Sequence, residues 1–153
     1  KSWGAQRNLP EANRISMFEL KIITGFSAAH QLRNFQGPCE HLHGHNWKIE
    51  VCVAAAGLDQ AGMVIDFAIL KKMTNDIIER LDHTFLNDLE EFRDQNPSSE
   101  YIAQYIAQEL SFRLSSTLAK VTRVTTWESE TASATYYPPA FSTHLNPIVL
   151  DHD

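Results

Sequence analysis

Between residues 46 and 54 apolar and polar side chains alternate. Trp47, Ile49, Val51 and Val53 fall on one face of an extended chain, and Lys48, Glu50 and Cys52 on the other. Side chains along a strand point to opposite faces in turn, so the pattern predicts an antiparallel strand covered on one side only. Residues 18–26 alternate more loosely but are rich in β-formers, and predict a second strand. Residues 27–45 are rich in His, Gly and Pro and read as a functional loop. The period then changes. Asp66 is placed to cap a helix from Phe67 to about Leu81, with Phe67, Leu70, Met73, Ile77 and Leu81 as its apolar stripe. Residues 96–100 (NPSSE) start another, with an acid in the first turn to suit the helix dipole. Ile102, Ile106, Leu110, Leu114 and Leu118 recur every four residues and carry that helix to about Leu118. Residues 121–129 and 132–137 are two β-rich runs joined by a short polar turn, a predicted hairpin.

The order β-β-α-α-β-β predicts an α+β domain: one four-stranded antiparallel sheet with two helices on one face. The domain is expected over residues 17–137, with an N-terminal extension at 1–16 and a C-terminal tail at 138–153. A length of 153 residues suits one such domain. The net charge of −6 argues against a nucleic-acid-binding surface, and no apolar run is long enough to span a membrane. A cytoplasmic protein with reduced Cys39 and Cys52 is the expectation.

The chemistry concentrates in Cys39-Glu40-His41-Leu42-His43-Gly44-His45, just before the alternating strand. Residues two apart in extended chain point the same way, so His43 and His45 can aim two imidazoles at one point. Gly44 between them leaves room for a metal or substrate. His30, at the end of the preceding strand, can supply a third nitrogen. Three His ligands with an open fourth position form the catalytic type of zinc site. His41 has the same parity as His43 and is a rival ligand. Cys39 is a candidate base, a candidate fourth ligand or a plain loop thiol. Cys52 reads as a small sheet residue. Asp82-His83 follows the first helix, either as a C-terminal cap or as a proton carrier with its acid. Glu128 and Glu130 are equally eligible carboxylates at the hairpin.

These pieces together resemble the 6-pyruvoyl-tetrahydropterin synthase and 6-carboxy-5,6,7,8-tetrahydropterin synthase family, from about Phe18 to Tyr137. The matching stretches are Phe26 to His30, Cys39 with His43-Gly44-His45, Asp66-Phe67 with Leu70-Lys71, and Leu81-Asp82-His83 with Leu86-Asn87. Residues 96–100 and Trp127-Glu128 complete the set. The resemblance implies the tunnelling fold, with subunits closing a barrel as a trimer or hexamer. It implies Zn2+ on His30, His43 and His45, catalytic Cys39, Asp82 and His83, and Glu128 as anchor of the pterin ring. The interval between Cys39 and His43 resembles the bacterial 6-carboxy enzymes of the queuosine pathway. Those convert 7,8-dihydroneopterin triphosphate and release triphosphate and acetaldehyde; the pyruvoyl enzyme, or a non-catalytic zinc-binding protein of this fold, is the alternative.

Overall fold

The computed structural model describes residues 17–34 and 41–139. The expected extension at 1–16, Cys39, and the tail beyond Pro139 lie outside the described residues. Four strands pair in chain order as one antiparallel sheet: β1 (Phe18–His30), β2 (His43–Ala55), β3 (Lys120–Ser129) and β4 (Ala132–Tyr136). Two helices, α1 (Phe67–Ile78) and α2 (Ser99–Arg113), fall between β2 and β3 in sequence. The fold is the expected α+β sheet with two helices.

The β2 alternation decides which face the helices cover. Trp47, Ile49, Val51 and Val53 join one buried cluster with Leu70 and Ile77 of α1 and Ile102, Ile106 and Leu110 of α2. The opposite face carries ion pairs: Lys21 with Glu50, and Glu19 with Arg123. Cys52 lies on that face and is also buried, which pushes its thiol up from the usual range. It is the small sheet residue expected.

The first helix starts at the predicted cap, Asp66, and the second within the predicted start at residues 96–100, capped by Ser98. The Asp66 carboxylate accepts from the Ala68 amide at 2.6 Å, and the Ser98 hydroxyl from the Tyr101 amide at 3.3 Å. Their far ends are shorter than the periodicity suggested. At the C-terminus of α2 the chain turns at Leu114, whose carbonyl accepts from the Thr117 hydroxyl at 2.8 Å, and Leu118 is 53% exposed. Along α1 the buried stripe is Leu70, Thr74, Ile77 and Ile78, while Phe67 is 52% exposed. Thr74 can occupy the core because its hydroxyl donates back to the Leu70 carbonyl at 2.9 Å.

The largest correction concerns residues 27–45. Much of this segment is strand rather than loop. β1 runs on to His30 and β2 begins at His43, so Ser27 to His30 pair with His43 to Asn46. The pairing is tight at Gly25, where a Cβ would lie 2.5 Å from the Trp47 carbonyl oxygen. Gly25→Ala is therefore expected to lose roughly 1–3 kcal/mol of stability, because a main-chain carbonyl must move to admit the methyl group. Gly57 has nothing within 4 Å of its would-be Cβ. Gly57→Ala should stay within about 0.5 kcal/mol of wild type in the same denaturant titration.

Candidate metal and active site

Paired residues on antiparallel strands share a face. In the β1–β2 ladder His30 lies opposite His43, and Ala28 opposite His45. All three histidines therefore lie on the helix side of the sheet, in line with Trp47 and Ile49. His30 Nε2 is 3.0 Å from His43 Nε2, and the His45 ring centre is 4.8 Å from that of His43 and 5.2 Å from that of His30. Ligand atoms of His30, His43, His45 and Glu128 all lie within 4.8 Å of one another.

Hydrogen bonding fixes the tautomers. His30 Nδ1 is 2.7 Å from the Pro97 carbonyl, and His43 Nδ1 is 2.7 Å from the His41 carbonyl. A carbonyl only accepts, so each Nδ1 carries a hydrogen, and in the neutral ring Nε2 then presents the lone pair. Two lone pairs then face each other at 3.0 Å. Among the described residues His45 Nε2, which is buried, makes no hydrogen bond, although Glu128 Oε1 lies 2.9 Å away, off the hydrogen-bonding direction. Burial lowers the His30 and His45 pKa values, which keeps these imidazoles neutral near pH 7. Lone pairs and a carboxylate turned to one point suit a divalent cation. His41 supplies its carbonyl, and its ring is not part of this group.

Glu128 reaches the histidines because of an irregularity in β3. Trp127 pairs with Ser133 and Ser129 with Ala132, leaving Glu128 as an extra residue in the ladder. Such bulges re-aim side chains. Glu128 Oε2 accepts from the Ser99 hydroxyl at 3.0 Å, at the start of α2. His30, Ser98, Ser99, Glu128 and Ser133 border a cleft of about 240 Å³. Glu130 is exposed in the turn, which separates two carboxylates that were equivalent in the sequence.

Asp82 and His83 do not cap α1, which ends at Ile78. They belong to a strap laid along β1. The His83 amide donates to the Ser27 carbonyl at 2.6 Å, and the Ala29 amide to the Thr84 carbonyl at 3.0 Å. Asp82 Oδ1 accepts from the Ser27 amide at 2.8 Å, and its Oδ2 lies 2.8 Å from His83 Nδ1. The Ser27 amide, then His83, hold the Asp82 pKa below the usual carboxylate range. His83 adopts a positive φ of 55° and its ring is 82% exposed. It borders a second cleft with Gly44, His45 and Asn46. Strand alternation turns Gly44 away from the metal side, so the room it leaves is in this second cleft. A Cβ there would meet only the Ala28 carbonyl, at an ordinary 3.5 Å.

Sequence reasoning missed the supports beyond His30. Asn87 grips the Gln31 backbone through both its N–H and C=O, at 3.0 and 2.8 Å. Asn96 grips Arg33 in the same way, at 2.7 and 3.0 Å. Both asparagines stand in the family-like stretches of the sequence, but the amide-to-backbone pairing needed the fold to bring them alongside.

The family described as 6-pyruvoyl tetrahydropterin synthase matches residues 19–139 of the chain. The chain belongs to this family. It is 32% identical to the 6-carboxy-5,6,7,8-tetrahydropterin synthase of Bacillus subtilis, over 82% of this chain and 87% of the relative. It is 35% identical to the dihydroneopterin monophosphate aldolase of Pyrococcus furiosus, over 67% of this chain and 82% of that protein. Its fold superposes on the Caenorhabditis elegans 6-pyruvoyl tetrahydropterin synthase with a TM-score of 0.70 and 27% identity, over 82% of this chain and 99% of that one. The chain is thus an enzyme of the tetrahydropterin synthase type, a lyase.

The site's geometry sets two expected outcomes. Dialysis against zinc should leave about one ion per chain, and His43→Ala with His45→Ala should abolish its retention; unchanged zinc content would show that the ion is held elsewhere. Asp82 has a lowered folded-state pKa, so its contribution to stability is present above its unfolded value near 3.8 and is lost as pH falls through the folded value. Wild type should therefore exceed Asp82→Asn in stability near pH 6, and the two should converge at pH below 3.8, read by thermal unfolding.

Proposed function

We propose that this chain is a zinc-dependent lyase converting 7,8-dihydroneopterin triphosphate to 6-carboxy-5,6,7,8-tetrahydropterin, with release of triphosphate and acetaldehyde. The observation that carries the reading is the partly buried His30–His43–His45 cluster joined to Glu128 at the edge of a cleft. The Bacillus relative supports the 6-carboxy product. Such a product belongs to queuosine biosynthesis, and a cytoplasmic location goes with that role.

In this reading His30, His43 and His45 would hold a zinc ion, whose Lewis acidity would serve to polarise the oxygens of the substrate's side chain. The chain's own groups bind, orient and move protons. Glu128 is the anchor of the ring, since a carboxylate accepts two parallel hydrogen bonds from the amino-pyrimidinone edge. Cys39 is the proton acceptor. His83, oriented through Nδ1 by Asp82, presents its exposed ring as the second proton carrier. An exposed His83 beside the second cleft favours work at a subunit boundary. The open edges of a four-stranded sheet favour barrel closure between copies, as a trimer or hexamer. Light scattering should then give a homo-oligomer, and an active monomer would contradict it.

Mass-spectrometric product identification with purified protein and dihydroneopterin triphosphate tests the activity. Acetaldehyde with the 6-carboxy product is expected. A 6-pyruvoyl product would favour the C. elegans relative's reaction. An aldol cleavage of the monophosphate would favour that of the P. furiosus relative. Cys39→Ala should lower turnover by roughly 10²–10⁴-fold, the range for a positioned acid–base group, while retaining zinc. Cys52→Ala, a substitution within the sheet, should retain turnover.

A further inference from the structure

The Glu128 carboxylate has two partners that pull it in different directions. Oε1 lies 2.9 Å from His45 Nε2, inside the cluster, and Oε2 accepts from the Ser99 hydroxyl at 3.0 Å, toward the cleft. Imidazole nitrogens bind zinc at about 2.0–2.1 Å and carboxylate oxygens at about 2.0–2.2 Å. In a tetrahedron of that size, neighbouring donor atoms stand roughly 3.3 Å apart. The separations of 3.0 Å between His30 and His43 and 2.9 Å between His45 and Glu128 are close to that, and the full set of four lies within 4.8 Å, so the side chains close modestly around an ion.

Charge points the same way. Three neutral imidazoles leave a divalent ion with its full charge, and Glu128 is the anion already among them. The side chain is also placed to move. It projects from the bulge in β3 and is 32% exposed at the rim of the cleft.

We infer that Glu128 closes the metal site from within: without a pterin its carboxylate holds the ion's fourth position, and a pterin that draws the carboxylate onto its own N–H groups opens it. The inference rests on the zinc and pterin reading above and deepens it. A carboxylate that turns both oxygens onto a ring edge aims their in-plane lone pairs at the ring and away from the metal. Ring binding and metal opening are therefore a single event. The ion stays shielded from water and stray anions until the ring is seated, and the Ser99 hydroxyl holds the second oxygen throughout the closed state.

Cobalt(II)-loaded full-length protein tests this through its visible absorption, with thiocyanate as the probe of an open position. A probe that binds only the open fraction has its apparent affinity reduced by that fraction, so a site closed nine-tenths of the time masks about tenfold. Glu128→Gln should bind thiocyanate at least about tenfold more tightly than wild type. Ser99→Ala, which keeps the carboxylate, should continue to exclude the anion. Unsubstituted pterin has no side-chain hydroxyls to ligate cobalt, and saturating wild type with it should raise thiocyanate affinity toward the Glu128→Gln value. Equal thiocyanate affinities in wild type and Glu128→Gln overturn the inference. So does pterin that binds, by quenching of its own fluorescence, yet leaves the thiocyanate titration unmoved. Neither readout involves turnover. An enzyme that makes the 6-carboxy product with an always-open cobalt site would sink only this inference, and a Glu128-closed site without that product would sink only the proposed reaction.

Discussion

The pairing of His30 with His43 at the open end of β1 and β2 is the contact on which the site depends. Strand side chains alternate strictly, so a slip of one residue would send either His30 or the His43–His45 pair to the opposite face. The register is held by the apolar residues further along the two strands. Ile22, Phe26, Trp47, Ile49 and Val51 must all stay on the helix side to bury, and they lie in phase with the histidines. Gly25 allows the two strands to approach where any side chain would meet the Trp47 carbonyl. The hydrophobic core and the histidine cluster that could hold a metal are thus one pattern, read at different heights along the same ladder.

Holding three imidazoles this close requires more than the ladder. Each Nδ1 of His30 and His43 is tied to a main-chain carbonyl, which fixes both tautomer and ring direction. The Pro97 carbonyl comes from the segment that opens α2, and Ser99 of the same turn steadies Glu128. The strap at Asp82 to Phe85 and the amides of Asn87 and Asn96 give the end of β1 the partners that a neighbouring strand would have given. Trp47 closes the floor beneath the cluster, edge-on to His30 and His45 at 5.2 Å. Burial at this floor is the main cause of the lowered His30 and His45 pKa values.

Much of this was legible in the sequence because it follows from local rules. The alternation around Trp47 and Ile49 gave β2, Asp66 and the stretch 96–100 mark the helix starts, and parity put His43 and His45 on one face. What was not legible depended on distant partners. Ser27 to His30 look like loop because Ser, Ala and His carry weak strand preference, and it is the pairing with β2 and the strap that make them strand. Gly44 was expected to make room for a metal or substrate, and which side that room lies on could be known only once His43 was placed in a strand. Glu128 and Glu130 differ only through a bulge that no periodicity announces. Leu118 carried the helical period past the point where the turn at Leu114 breaks it.

The central claim is that this strand register builds a metal site from nitrogen and carboxylate oxygen. X-ray absorption at the zinc edge of the loaded, pterin-free protein addresses it directly. Ligation by His30, His43, His45 and Glu128 gives a zinc environment without sulfur, with imidazole scattering from three histidines at about 2.0–2.1 Å and one oxygen at about 2.0–2.2 Å. A sulfur ligand at about 2.3 Å, or fewer than three imidazoles, would contradict it.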